Sequence, residues 1–409
     1  MLFCHPARRA FLQHMAQWGE SMKSNSRASV SIVLIVLLGV VIVVGGILIG
    51  ELTPLVFPEQ ASAQAVEVDG LFKILLILGG AIFLLVQILL AYSVIRFRVP
   101  HDDQSGDGPA IHGNALLELF WTAVPAVIVV VLAVLTYQVW ITTRAEQENE
   151  NFINGEAVAI EVSGQQFKWS FSYTTPIETE DGQPVVINSN ELHTFVGQNL
   201  KLDINAVDVI HSFWVPAMRV KQDALPDRPT FIRFTPTRAG EFPVVCAELC
   251  GSGHGTMISS VRVYESEEQF LANFYDPAIE LVLNPPEDPA LRGEQLLSGA
   301  TYACASCHTL DSLDWVGQVG PNLNGIADRA GSRVPGFTAE EYLVESLYEP
   351  GNFLVAGFGA LMPQFGTDTN PMPVEDMKAI VAYLCTQFEA RDESSCDLDN
   401  LNLIATEYE

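Results

Sequence analysis

Three apolar runs, 29–50, 71–95 and 115–141, constrain this chain more than anything else in it. Each offers about the 20 residues a helix needs to cross the hydrocarbon of a bilayer. Three such runs in one chain are not the pattern of buried helices in a soluble core. The sequence is 49% hydrophobic yet carries a formal charge of −28 over 409 residues. Both facts hold together if apolar residues concentrate in membrane spans and acids in exposed domains. Cations in short loops set the orientation. Arg8, Arg9, Lys23 and Arg27 precede the first run, and Arg96 and Arg98 lie between the second and third. Those stretches face the cytoplasm, so everything after about residue 142 is outside. Residues 1–63 keep two readings: an additional transmembrane helix, or a signal peptide with a basic start at 22–27 and a cleavage site at Ala61-Ser62-Ala63. Residues 64–145 form a transmembrane helical hairpin in either case.

Beyond the membrane the pattern changes. Short alternating or β-branched runs at 157–162, 167–173, 200–206, 230–235, 241–245 and 257–264 read as strands, and turn pairs separate them. They predict a small all-β sandwich or barrel over 155–270. A proline-rich linker follows at 271–289, then a helical domain at 290–390 and an acidic tail at 391–409. Six of the seven cysteines fall outside, in an oxidising compartment. Four of them make two close-set pairs with histidine nearby. Cys385 and Cys396 are expected to close a disulfide loop, and Cys4 stays on the reducing side without an evident role.

The first pair lies in "VVCAELCGSGHGTM", 244–257, where Cys246, Cys250, His254 and Met257 share one loop between two strands. Thiolate, imidazole and thioether together favour copper. One cysteine suffices for a single-copper site, whereas two in one loop can bridge two ions. "DVIHSFWVP" supplies a second imidazole in His211. A Cys246–Cys250 disulfide would leave His254 and Met257 unexplained, and zinc does not favour a thioether. His193 stands in a polar stretch and reads as a surface residue. The second pair lies in "CASCH", where Cys304, Cys307 and His308 have the spacing of covalent c-type haem attachment, both thiols on the macrocycle and the imidazole on iron. A methionine thioether is expected opposite, and Met362 in "LMPQF" is preferred to Met372.

These residues resemble a known family. Cys-x-Glu-x-Cys-Gly-x-x-His-x-x-Met, preceded by Asp-Val-x-His-Ser, is similar to the copper A site of subunit II of haem–copper cytochrome oxidases. The resemblance implies that Cys246 and Cys250 bridge two coppers, with His211, His254 and Met257 as terminal ligands. It implies that Glu248 binds one copper through its backbone carbonyl and turns its side chain to a magnesium ion beside the catalytic subunit. "GNALLELFWTAVP" resembles the start of the family's second helix, which gives Glu118 the mouth of a proton pathway; a helix-end carboxylate can also simply reach water. "VKQDALPDRP" resembles the stretch that brings Asp223 to the magnesium and proton-exit network, with Asp227 in place of a glycine. In "GQQFKWSFSY", Phe167 stands where many relatives carry the tryptophan that receives electrons from soluble cytochrome c, and Trp169 reads as core packing. "GPNL" at 320–323 and "AYL" at 382–384 complete a resemblance to small class I cytochromes c, in which Pro321 orients His308.

The resemblance implies a multidomain membrane protein of caa type: hairpin, all-β cupredoxin domain, all-α class I cytochrome c domain. It would sit in a prokaryotic plasma membrane with its two redox domains on the periplasmic side. It would pass electrons from an external donor, basic by complementarity with this acidic chain, through haem c and copper A to subunit I of the oxidase. The acidic balance speaks against nucleic acid. Two rivals share much of this pattern: the equivalent subunit of a copper A-containing nitric oxide reductase, and a membrane-tethered electron carrier without a catalytic partner. Glu118 and the magnesium-binding glutamate favour the oxidase.

Overall fold

The computed structural model describes residues 33–98, 113–368, 370–389 and 396–408. Arg8, Arg9, Lys23, Arg27 and Cys4 lie outside the described residues. The chain divides into two units: residues up to 57 with 69–137, and 58–68 with 138–409. The first is built from three helices, α1 (Val33–Val56), α2 (Ala63–Arg96) and α3 (Ala115–Arg144), with peak mean hydropathies of 3.2, 2.8 and 2.5. Their large apolar side chains, such as Leu34, Phe83 and Val130, are exposed on the protein surface, as lipid-facing residues should be. Lys73 of α2 and Glu51 of α1 form an ion pair at 2.7 Å. Pro125 sits inside α3 without ending it.

The second unit opens with a β-sandwich. One sheet holds β1 (Ala159–Gln165), β2 (Lys168–Glu178), β3 (Pro184–Ser189), β5 (Leu200–Ala206) and β8 (Thr230–Phe234), in the order β8-β5-β1-β2-β3. The other holds β4 (Leu192–Phe195), β6 (His211–Val215), β7 (Val220–Ala224), β9 (Gly240–Cys246) and β10 (Ile258–Tyr264), in the order β4-β10-β9-β6-β7. Most neighbours are antiparallel; β1 with β5 and β10 with β4 are parallel. Period-two alternation produces the core. Leu200, Leu202 and Ile204 of β5 point in, and Lys201 and Asp203 point out. Trp169, Phe171 and Phe213 are fully enclosed between the sheets. Ala61 and Ser62 are buried in this sandwich as well, with the Ala61 N–H on the Ala217 carbonyl at 2.9 Å. A cut after Ala63 would remove both.

The segment 271–289, expected to be a linker, is helical as far as Leu283, and only 284–288 is irregular. Helix α4 (Asp276–Leu283) and the turns before it place Phe270, Phe274, Tyr275 and Ile279 in the β core. This overturns the surface reading of His193. It lies on β4 with 7% exposure, and its ring stacks on Phe274 at a centroid distance of 3.8 Å. Its backbone N–H donates to the Tyr173 hydroxyl at 2.7 Å, and its Nδ1 lies 3.2 Å from the Tyr264 hydroxyl. A four-residue strand is too short to show its period, and the turn that covers it comes about 80 residues later, far outside the window of about 11–18 residues in which local pattern is read.

The remainder is a helical domain of α5 (Pro289–Ser298), α6 (Ala339–Tyr348), α7 (Val374–Leu384) and α8 (Leu398–Ala405). Helices α5 and α7 cross closely because Gly293 has no side chain; a Cβ there would collide with the Ala379 carbonyl. Cys385 and Cys396 are joined by the expected disulfide. It leads into α8, whose Leu401 and Ala405 are buried, so the acidic tail is partly structured.

Burial also sets a pH dependence. Desolvation, followed by the nearby positive charge of Arg262, pushes the His193 pKa from 6.5 down to about 3. Between those values the unfolded chain takes the proton and the folded one does not, so stability is full above about 6.5 and is lost as pH falls towards 3. At about 1.4 kcal/mol per pH unit the loss approaches roughly 5 kcal/mol. His193→Phe, which keeps the stack on Phe274, should flatten that part of the stability curve. Thermal unfolding of both proteins between pH 7 and 4 checks this; parallel curves refute it.

Candidate metal centre

The loop 247–257 is pinched at its base by the two strands it joins. The Cys246 N–H donates to the Met257 carbonyl at 3.2 Å, and the Ala247 N–H to the Ser212 carbonyl at 2.9 Å. Register between β9 and β6 sets Cys246 opposite Phe213, two residues past His211. The five side chains named from sequence therefore converge. Cys246 Sγ is 3.9 Å from Cys250 Sγ and 3.9 Å from His211 Nδ1. Cys250 Sγ is 3.5 Å from His254 Nδ1 and 3.9 Å from Met257 Sδ. The thiol of Cys246 also meets the Glu248 carbonyl at 3.2 Å. Both cysteines are free and buried, so the disulfide alternative is not what this loop forms. Among the described residues, the one grouping of His, Cys, Asp and Glu close enough to hold an ion is His211, Cys246 and Cys250.

The electrostatics divide the two thiols. Burial disfavours the Cys246 thiolate, but hydrogen bonding from His211 and the nearby backbone outweighs it and brings the thiol down to about 6. Burial and then the charge of Cys246 push Cys250 up to about 12. One thiolate forms readily and the second requires added positive charge. A metal ion provides it, so this donor set fits soft cations such as copper.

Asp208 completes the site, and the sequence reading missed it. Its Oδ1 meets His211 Nε2 at 2.8 Å, which leaves Nδ1 facing the sulfurs. Its Oδ2 accepts the Gln166 N–H at 2.8 Å, and Gln166 Nε2 reaches the Cys250 carbonyl at 2.5 Å. The signal was present as Asp-x-x-His, a carboxylate three residues before a ligand. Below the loop, Phe167 packs so tightly against Gly253 that a Cβ there would collide with its ring. Trp169 is 1% exposed and stands edge-on to His211 at 6.1 Å.

The remaining sequence candidates lie elsewhere. Glu248 is exposed, with no companion acids in a cluster among the described residues. Asp223 Oδ1 accepts the Ser212 hydroxyl at 2.8 Å. Glu118 caps its own helix: the Asn114 N–H donates to Glu118 Oε1 at 3.0 Å. In the helical domain, Cys304 and Cys307 flank a short turn, and His308 Nδ1 lies 2.7 Å from the Pro321 carbonyl. Cys304, His308 and Met362 line one cavity together with Trp315, Leu343 and Ile380. Met372 does not line it; it is buried, and its carbonyl accepts the Tyr348 hydroxyl.

A β-sandwich with two cysteines, two histidines and a methionine at one end defines a membrane-anchored cupredoxin with a sulfur-paired metal centre. Residues 50–139 match the family model described as cytochrome c oxidase subunit II, transmembrane domain, and 158–263 match that of its periplasmic domain. Cytochrome c oxidase subunit 2 of Synechocystis sp. is 36% identical over 276 residues, covering 58% of this chain and 80% of that protein. The same subunit of Alkalihalophilus pseudofirmus is 31% identical over 296 residues, covering 70% and 77%. The solved periplasmic domain of subunit II from Bradyrhizobium japonicum is 28% identical and covers 31% of this chain and 96% of its own, at a TM-score of 0.25. The chain belongs to the cytochrome c oxidase subunit II family. Membership implies a binuclear copper A site, for which the His211, Cys246 and Cys250 cluster is present. It places the cupredoxin domain outside the plasma membrane and makes the chain part of a haem–copper oxidase, beside catalytic subunit I.

Asp208→Asn should weaken copper binding by about ten- to a hundredfold, the usual worth of a carboxylate behind a ligating histidine. Competitive copper titration of the two proteins measures it, and equal affinities would remove Asp208 from the site.

Proposed function

We propose that this chain receives electrons from an external donor on a haem c held in residues 290–390. It then passes them through copper A to the subunit that reduces oxygen to water with proton pumping. The observation that carries this reading is one cavity with two kinds of wall. Cys304, Cys307, His308 and Met362 line it from the helical domain, and Phe167 and Thr256 line it from the cupredoxin domain. The residues fit a haem. With Nδ1 of His308 on the Pro321 carbonyl, Nε2 is the ring nitrogen left for iron. Arg333 lines the second cavity that Cys304, His308 and Met362 share, and its buried Nε has no hydrogen-bond partner among the described residues, which suits an anionic propionate.

Haem c and copper A, when bound, supply reversible one-electron chemistry; the chain holds and separates them. Cys304 and Cys307 would anchor the macrocycle, and His308 and Met362 would hold its iron. His211, Cys246, Cys250, His254, Met257 and the Glu248 carbonyl would hold copper. The Glu248 side chain, with Asp223 near, would share a magnesium ion with subunit I. The acidic surface suits a basic donor.

Electron paramagnetic resonance of the oxidised protein should show one unpaired electron shared by two coppers, and rapid mixing with a reductant should reduce haem c before copper. A lone cupric signal or the reverse order overturns the reading. Glu118 would supply protons to subunit I. Glu118→Gln keeps the oxygen that caps Asn114 but loses the charge, so turnover should fall by about a hundredfold or more with copper content unchanged. Unaltered turnover and pumping would leave Glu118 a helix cap only.

A further inference from the structure

Lys168 begins β2, directly after Phe167, yet its side chain works in the other domain. Its Nζ donates to Asn370 Oδ1 and lies 5.6 Å from the centroid of the Phe365 ring. Its neighbours in the shared cavity are Cys304, Cys307 and Met362. Among the described residues no carboxylate pairs with it. Desolvation, only partly offset by the thiol of Cys304, brings its ammonium down to about 8. An ammonium placed there with a neutral acceptor costs free energy that an apolar side chain would not. What the bond achieves is registration between two domains.

Asn370 makes that registration specific. It is 2% exposed, and its amide is used on both sides. Oδ1 faces Lys168, while Nδ2 donates to the Gln364 carbonyl at 2.8 Å. Its own N–H donates to Thr367 Oγ1 at 3.1 Å. Asn370 thus closes the stretch 364–370, which begins two residues after Met362. A second hydrogen bond across the seam, from the Asn190 N–H to the Ala300 carbonyl at 2.7 Å, is backbone to backbone and touches neither ligand set.

We propose that Lys168 is a positioning residue: through Asn370 it latches the Met362 loop to the cupredoxin domain. The latch couples axial ligation at the haem to the docked state from which electrons cross. The proposal rests on the haem c reading, and its test is built to fail separately from that reading.

The test uses the full chain in its oxidase complex. Haem staining and the reduced haem spectrum of the unaltered protein come first; their absence refutes the haem reading, not the latch. Lys168→Met then keeps the alkyl stem and removes the bond. The copper signal should stay unchanged. The methionine-to-iron charge-transfer band should bleach at lower temperature, and electron transfer from haem to copper should slow about tenfold, the worth of one hydrogen bond to a charged group. Lys168→Arg should restore both. If Lys168→Met does not mature, Asn370→Ala is expected to give the same two losses. Wild-type rate and band in whichever variant matures overturn the proposal, as does a slowed rate that arginine does not rescue.

Discussion

Two sulfur atoms held 3.9 Å apart without bonding to one another are the constraint around which the external domain is organised. A four-residue spacing in a free loop would let the thiols meet and oxidise. Here the loop cannot relax, because backbone hydrogen bonds tie both of its ends to neighbouring strands and Gln166 ties its middle to the β1–β2 turn. The histidine that faces the pair comes from a different strand and is itself held from behind by Asp208. The sandwich therefore fixes the ligand geometry through its own hydrogen bonds. Such preorganisation keeps rearrangement small when charge at the centre changes.

The thiol asymmetry follows from the same arrangement. Cys246 has the imidazole and the backbone donors; Cys250 has burial and a neighbour that ionises first. Left alone, the pair would hold one negative charge and one proton. Soft cations remove the conflict by neutralising both sulfurs together, so affinity and pH are linked and binding releases protons.

Much of this was legible in sequence, for identifiable reasons. Long apolar runs announced the helices, and ligand residues with chemically unusual side chains announced the metal centre, since Cys, His and Met at short spacing are rare by chance. The strand 200–206 was read with its true bounds, five others were found with shifted ends, and 184–189, 192–195, 211–215 and 220–224 were not read. Tertiary relations were hidden. His193 looked like a surface histidine because its cover, Phe274, is distant in sequence. Asp208 was in view but became meaningful only with His211 turned towards it. The helical character of 271–283 was masked by the prolines just beyond it.

That helical segment bears on how the two external domains stay in register. A flexible linker would raise the effective concentration of one domain near the other but leave orientation to chance. In this protein 271–283 is packed into the β core, so only the short stretch 284–288 is free to bend. The search volume is small before any side chain across the seam is counted, and weak contacts suffice to choose one pose. Phe167 fits this logic. Pressed against Gly253, it gives the cavity that the two domains share a close-packed wall.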